Sequence, residues 1–360
     1  MTTMHHVETR PNGTPRLFYV DRPRPESWRR NPWGFAPGGM TPRAGQAATV
    51  TDRDTVTWAE AFAAGGLDWT VSARPLYTTR THPDANGKRA IPVPMAQALV
   101  RDTDEAVVGY QSDTRALVQN GQVRACLDAS RLAPDSCAVL DGGSRLYAQA
   151  LENVDEVRAG DTGKVATFLT FFWGHGAETG AVVPGRTKVG IVCTNTYGHA
   201  RASVEGFERI AHRASAKGKL AALARQLEQE AAEQADWLAT ARRLAETKHA
   251  VGKGRTEAVA LLTEAMGSDT TRAVNVAREV AQVLRQADPR TGVVGDGSLW
   301  DLFQAASYYT SHERTVRNAE GAGADFSRRL TGTPDWLNAT WDALATIASD
   351  AAPVTVTVTR

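Results

Sequence analysis

Apolar and polar residues alternate along much of the first half of the chain, a pattern typical of strands with one buried face. Leu67, Trp69 and Val71 follow this alternation, and the segment AQALVRDTDEAVVGYQSD predicts a hairpin that turns between Asp102 and Glu105. The run KVATFLTFFWGHG is almost continuously apolar and rich in β-branched and aromatic residues. It is therefore predicted to lie at the centre of a sheet.

Cap and turn residues separate these strands. Thr55 or Thr57 is predicted to cap a short helix that Gly65-Gly66 ends, and Asn120 to cap a second helix. Residues 78–92 are predicted to form a loop, in which Asn86-Gly87 suits a tight turn. The segment GHGAETGAVVPG predicts another loop, ahead of the strand TKVGIVC.

From Asn195 the apolar spacing changes to three and four residues, which indicates helix. One long amphipathic helix is predicted to about Lys248, with further helices at about 256–266, 270–286, 298–314 and 333–349. Because the strands form meanders rather than βαβ repeats, we expect an α+β fold: a mainly antiparallel curved sheet in the N-terminal half, followed by a helical C-terminal half.

This pattern divides the chain into four parts. Residues 1–50 form a Pro/Arg-rich arm that is predicted to lack regular structure, as a disordered arm or an extended strap. Residues 51–200 form the strand-rich α+β core, and residues 201–350 a helical region packed on it. Residues 351–360, PVTVTVTR in the last eight, alternate and predict a C-terminal strand or tail.

Composition adds limits on function. With 360 residues, 42% of them apolar, the chain can bury a sizeable core. The sequence shows no signal peptide and no membrane span, so we expect a cytoplasmic protein without a membrane partner. Three widely spaced cysteines form no metal motif and are expected to be reduced and buried, and we expect no metal and no cofactor.

Positive charge is concentrated between Arg186 and Arg225. Eight Lys or Arg residues face two Glu in this stretch, although the whole chain is only +1. Such a cluster is either the solvated face of a helix or the site of an anionic partner. In the second interpretation phosphates contact Arg186, Lys188, Arg201, Arg209, Arg213 and Lys217, and bases stack on Trp173 or Tyr197.

A second hypothesis is catalytic. His175, Cys193 and His199 are the residue types of a thiol nucleophile with an imidazole base, or of a metal site. Their spacing matches no protease or zinc signature, and Cys193 at the end of an apolar strand is far more typical of a small core residue than of a nucleophile or ligand. No carboxylate pair suited to acid–base chemistry is evident in the sequence.

Several motifs occur in the order of one known family. They are LDWTV, VRDTDEAVVGY, GGSRLYAQA, TKVGIVCTNT and SLWDLFQAASYYTSHER, and they span about residues 57–345. On these motifs the chain resembles the phage/plasmid-like protein family (domain of unknown function 932). At the level of fold it is also similar to phage single-strand annealing recombinases. That resemblance implies a homo-oligomer that holds single-stranded DNA in a basic groove.

Three functions are therefore expected as alternatives. The first is a mobile-element protein that binds single-stranded DNA and promotes annealing and recombination as an oligomer. The second is a metal- or Cys/His-dependent enzyme acting on nucleic acid or nucleotides. The third is a non-catalytic structural protein of a mobile element.

Overall fold

Strands fill the first half of the chain and helices the second, which confirms the predicted α+β class. The computed structural model describes residue 8 and residues 16–20, 49–51, 56–175, 181–190, 196–198, 210–227, 231–248, 255–267, 270–313 and 335–350. Within these ranges the strands are β1 (Leu17–Val20), β2 (Thr49–Thr51), β3 (Val71–Thr79), β4 (Ala90–Arg101), β5 (Val107–Ser112), β6 (Pro134–Leu140), β7 (Arg145–Glu156), β8 (Lys164–Gly174), β9 (Ala181–Gly190), β10 (Thr196–Gly198) and β11 (Ile210–Ala211). The helices are α1 (Trp58–Gly65), α2 (Asn120–Ala129), α3 (Ala216–Leu227), α4 (Ala231–Glu246), α5 (Arg255–Ala265), α6 (Thr271–Gln286), α7 (Leu299–Tyr308) and α8 (Asp335–Asp350).

The main sheet has the strand order β10-β9-β8-β7-β6-β1-β2, and β11 also pairs with β9. Neighbouring strands are antiparallel except β1 and β2, which are parallel. β8 lies between β7 and β9, as its apolar sequence predicts. β9 begins at Ala181, so part of the predicted loop GHGAETGAVVPG is strand, with Pro184 opposite Phe171.

Two hydrophobic cores rest on one face of this sheet. Cys137, Ala148 and Phe171 are register neighbours on that face, and they pack with α1, α2, α3 and the small sheet in the first core. Val165 lies six residues before Phe171 in β8 and therefore on the same face. It belongs to the second core, which the C-terminal helices build around Trp300. One sheet thus joins the two halves of the chain.

A second, smaller sheet has the order β3-β4-β5. Val71, Leu99 and Val108 on its inner face belong to the first core. The predicted β4–β5 hairpin is confirmed, because the Glu105 N–H donates to the Arg101 carbonyl at 2.9 Å. β3 begins only at Val71, and Leu67 is buried ahead of it rather than within the strand.

Helix starts follow the cap residues in most cases. The Thr57 hydroxyl accepts from the Glu60 N–H at 3.2 Å, and the Glu60 carboxylate accepts from the Thr57 N–H at 3.0 Å. This capping box confirms the predicted start of α1. The predicted cap at Asn120 is wrong: Gln119 caps α2, and Asn120 is the first helical residue, with its side chain used elsewhere.

The single helix predicted from Asn195 to Lys248 is wrong within the described residues. β10 and β11 lie in its first part and pair with β9, and helix begins at Ala216. α3 and α4 also serve different cores, with Leu220 in the first and Leu244 in the second. The four later helices are confirmed, as α5 to α8, with a π-turn at Tyr309–Glu313 after α7.

The prediction that residues 1–50 lack regular structure is wrong where the chain is described. β1 and β2 are strands of the main sheet, and Leu17 and Phe18 are buried. Glu8 is also anchored, because its carboxylate accepts two hydrogen bonds from the Arg101 guanidinium at 2.6 and 2.8 Å. Other residues of this arm, including its tryptophans, and the tail 351–360 lie outside the described residues.

Cys126 and Cys137 are free and buried, as predicted, and Cys193 lies outside the described residues. Burial raises the pKa of the Cys126 thiol to about 12 and that of Cys137 higher still. No helix in the described ranges combines the length and the apolar character that crossing a bilayer requires.

Candidate nucleic-acid interface

A two-stranded ribbon extends beyond the small sheet. β5 pairs with β4 only from Ala96 to Val100, whereas β3 and β4 continue to pair as far as Thr79 and Ala90. Every residue from 76 to 95 is exposed or half-buried. An isolated two-stranded hairpin is marginal in water. A segment of this kind that projects from a protein is therefore a candidate for binding a partner.

The turn at the end of this ribbon, residues 80–89, is organised by Asp84. Its carboxylate accepts from the N–H groups of Asn86 and Lys88, both at 2.9 Å. Gly87 has a φ of 74°, the left-handed conformation that the predicted Asn-Gly turn requires. Across the base of the turn the Arg80 N–H donates to the Arg89 carbonyl at 2.8 Å.

The ribbon tip is basic. Arg80, Lys88 and Arg89 are exposed there and face a single acid, Asp84, whose carboxylate lies 3.7 Å from the Arg80 guanidinium. Exposed pairs at this distance contribute little stability, so the cations stay available to a partner. Tyr77 lies in β3, two residues before that strand ends at Thr79, and 58% of its surface is exposed. The tip therefore combines cations with an accessible aromatic ring.

The predicted pair Arg186 and Lys188 does share one face of β9, as a period of two requires. It is the face that the helices cover, however. Arg186 is only 6% exposed, and its Nε donates to the Glu152 carboxylate at 2.8 Å. The Lys188 ammonium lies over the Trp237 ring of α4, 5.2 Å from its centroid. Arg186 is therefore paired within the main sheet and Lys188 packs against α4, so neither lines an open groove in the described part of the chain.

Trp173 lies in the first core. Its ring stacks on Phe62 at 6.0 Å, and its Nε1 donates to the Asn120 Oδ1 at 2.9 Å. Only 2% of the residue is exposed. A base outside the protein cannot reach this ring in the present conformation, so the structure gives Trp173 a packing role.

The other predicted site residues are spread over the molecule. Arg213 and Lys217 are exposed around the start of α3. Tyr197 belongs to β10, where only its backbone is described. Arg201 and Arg209 lie outside the described residues. The structure thus does not bring the predicted set together in the part of the chain that it describes.

His175, from the catalytic hypothesis, is buried at the end of β8. Its Nε2 lies 3.2 Å from the Asn120 Oδ1, and its ring is 6.5 Å from that of His212. Burial, with a smaller contribution from His212, lowers the His175 pKa to about 3. Cys193 and His199 lie outside the described residues, and the described ones contain no group of three potential metal ligands.

Sequence reasoning missed the ribbon because it predicted a loop at residues 78–92. The signal was present, since RTHPDANGKR carries three Arg or Lys residues and two turn-forming pairs. Exposure, which separates a binding arm from an ordinary loop, is a property of the folded chain.

A family model described as Domain of unknown function (DUF932) matches residues 107–331. The match covers more than half of the chain, from β5 to beyond α7, and β3 and β4 precede it. No curated protein and no solved structure matches the chain.

Proposed function

Because this chain belongs to the DUF932 family, whose description names no activity, we propose a function from the geometry of the chain itself: it binds single-stranded DNA through the tip of the β3–β4 ribbon. The observation that carries the proposal is the exposed, basic tip. Arg80, Lys88 and Arg89 contact phosphates, and Tyr77 stacks on a base. Ribbons and open strands are established readers of nucleic acid, and stacking on an aromatic ring suits any base.

The surroundings of the cations favour the ribbon tip, rather than the stretch from Arg186 to Arg225, as the DNA-binding surface. Arg186 is engaged with Glu152 and Lys188 with Trp237. The tip cations, by contrast, project where a phosphate backbone can approach without displacing a buried pair. Arg213 and Lys217 are also exposed. We propose that they make a second set of contacts with phosphates.

We further propose that this is a phage/plasmid-like protein of a mobile element, and that it anneals complementary strands as a homo-oligomer. Cations that hold backbones while bases stay accessible lower the repulsion between two strands. Annealing makes and breaks no covalent bond, so it requires only binding residues of the kind present at the tip.

The first test reverses the charge of the tip. Arg80→Glu, Lys88→Glu and Arg89→Glu, combined, should weaken binding of a fluorescent single-stranded oligonucleotide steeply, as measured by anisotropy at low salt. The slope of log K against log salt should also fall by about 2, since each phosphate contact on a single strand contributes about 0.7.

The matched control reverses Arg272, Arg278 and Arg285, three exposed arginines of α6, to Glu. It changes the net charge equally and should retain wild-type binding. Equal losses in both triple variants would reduce the effect to overall charge and reject the tip as the site. No binding by the wild type at low salt would reject the function itself.

A further inference from the structure

Exposed apolar side chains are concentrated on the small sheet. Among the described residues five large apolar side chains are exposed, and four of them, Tyr77, Met95, Val107 and Tyr110, lie on or between its strands. The fifth, Val154, is on β7. Tyr77 and Met95 belong to the ribbon, whereas Val107 and Tyr110 lie on β5 at the three-stranded part of the sheet. Large exposed apolar side chains grouped on one strand in this way mark interaction sites.

The outer face of the small sheet is ordered in two rows. Arg74, Ala98 and Tyr110 are opposite one another across β3, β4 and β5. In the next row Val100 lies opposite Val107. Ala98 and Val100 in the central strand are themselves buried, so the exposed apolar surface of this face comes from β5. Tyr110 is 61% and Val107 67% exposed. This face is distinct from the ribbon tip, since it lies at the other end of β4.

Charges of both signs flank these apolar residues. The Arg74 guanidinium lies 3.2 Å from the Glu105 carboxylate, and both side chains are largely exposed. Asp102 is also exposed at this end of the sheet. Two exposed acids make the face a poor site for a polyanion such as DNA.

We propose that this outer face is an interface with a second copy of the chain, related to the first by a two-fold axis. A surface with an apolar centre, a cation and an anion is complementary to itself under such an axis. Arg74 of one copy then lies against Glu105 of the other, and Tyr110 and Val107 of both copies pack at the centre.

The proposed dimer deepens the proposed function, since annealing needs copies that act together, and it names the surface that joins them. The face is only three strands wide, roughly 10 to 15 Å. That is small for a permanent dimer, so association should depend on protein concentration. The two ribbon tips remain free in this arrangement.

The experiment is sedimentation velocity on the full chain without DNA, from about 1 to 100 µM, a range suited to a weak interface. The wild type should shift from monomer to dimer. Arg74→Glu alone and Glu105→Arg alone should each weaken dimerisation by about tenfold or more, because like charges then meet across the axis. The double variant should restore it.

Apolar variants give a second readout. Tyr110→Asp should abolish the dimer, whereas Val154→Asp, which also places a carboxylate at an exposed apolar position but outside the face, should leave it intact. A monomer throughout the concentration range, or a dimer insensitive to Tyr110→Asp and Arg74→Glu, overturns the proposal.

The DNA-binding proposal and the dimer proposal can be rejected independently of each other. Tip variants that lose DNA should still dimerise, so a protein that binds no DNA leaves the dimer test unaffected. If Tyr110→Asp abolishes DNA binding but not dimerisation, the face is a nucleic-acid surface and the dimer proposal is wrong.

Discussion

At the scale of single residues, the Asn120 amide uses its hydrogen-bonding capacity in a way that fixes its neighbours. Its Nδ2 donates to the carbonyls of Leu67 at 3.0 Å and Trp69 at 3.2 Å. Oδ1 therefore faces Trp173 and His175, and an indole N–H can only donate. The His175 Nε2 must then carry hydrogen, which leaves its Nδ1 as a buried lone pair on a neutral ring.

This neutral histidine predicts an acid-sensitive fold. Its pKa is about 3 in the folded chain, against 6.5 for an ordinary histidine. Between these values the unfolded chain binds a proton that the folded chain does not, so stability is complete above pH 6.5 and falls as the pH drops towards 3. From pH 7 to pH 5 the loss should be about 2 kcal/mol, which urea denaturation can measure.

His175→Gln removes this titration and keeps an N–H donor for Asn120, so its stability should depend less on pH over that interval. His82→Gln, at the exposed ribbon tip, is the control and should behave like the wild type. An unchanged pH dependence in His175→Gln would show that other groups cause the acid sensitivity.

At the scale of elements, the turn between β6 and β7 supports the small sheet through Gly143. Both Gly142 and Gly143 have positive φ, at 65° and 91°. A Cβ on Gly142 would meet nothing within 4 Å, whereas one on Gly143 would lie 2.9 Å from Val108 and 3.3 Å from the Arg101 guanidinium. Gly143 therefore lets the turn approach β4 and β5 closely.

Replacing each glycine with alanine separates backbone strain from this close approach. Gly142→Ala should cost about 1 kcal/mol from the left-handed backbone alone. Gly143→Ala should cost about 1 to 3 kcal/mol more, because Arg101 or Val108 must move. Denaturant midpoints measure both. Equal losses would mean that the neighbours adjust freely and that the contact is unimportant.

Local signals predicted the elements that depend on neighbours in sequence. Thr57 and Glu60 are three residues apart, so their capping box is visible in the sequence, as is the turn at Asn86-Gly87. Asn120 is different, because its partners lie about fifty residues away in both directions and its type alone suggested a cap. The break before α3 was missed because β10 and β11 are too short to carry a period of their own.

At the scale of the whole molecule, Arg158 joins the sheet to the helical half. Its Nη1 donates to the Asp301 carboxylate of α7 at 2.6 Å, and its Nη2 to the Gly292 carbonyl at 2.7 Å. Asp301 is fully buried and also accepts from the N–H groups of Gly295 and Asp296. This single side chain bridges a turn of the main sheet and the loop before α7.

Arg158→Ala should destabilise the chain by about 3 kcal/mol, because it leaves a buried carboxylate without its cation. Tryptophan fluorescence and far-UV circular dichroism should both record the lower denaturant midpoint, since one sheet carries both cores. The control is Arg290→Ala, which removes an exposed partner of Asp288 and should leave the midpoint unchanged. A wild-type midpoint in Arg158→Ala would contradict this role.

The candidate site was less predictable than the fold. Charge counting located a real concentration of cations, but it cannot tell which face of a strand meets helices. Arg186 finds Glu152 on a neighbouring part of the sheet, 34 residues away in sequence. The ribbon was not predicted because its residue types are common in any loop. Only its projection from the body of the protein makes its cations accessible to a partner.

The buried thiols open a route to site-selective chemistry. Thiolates, not thiols, react with maleimides, and the raised pKa values of Cys126 and Cys137 keep both protonated and shielded. With Cys193 replaced by serine, Ala85→Cys at the ribbon tip becomes the preferred site for a dye. A fluorophore there would report on the arrival of a ligand at the tip, and two labelled copies would report their separation by energy transfer.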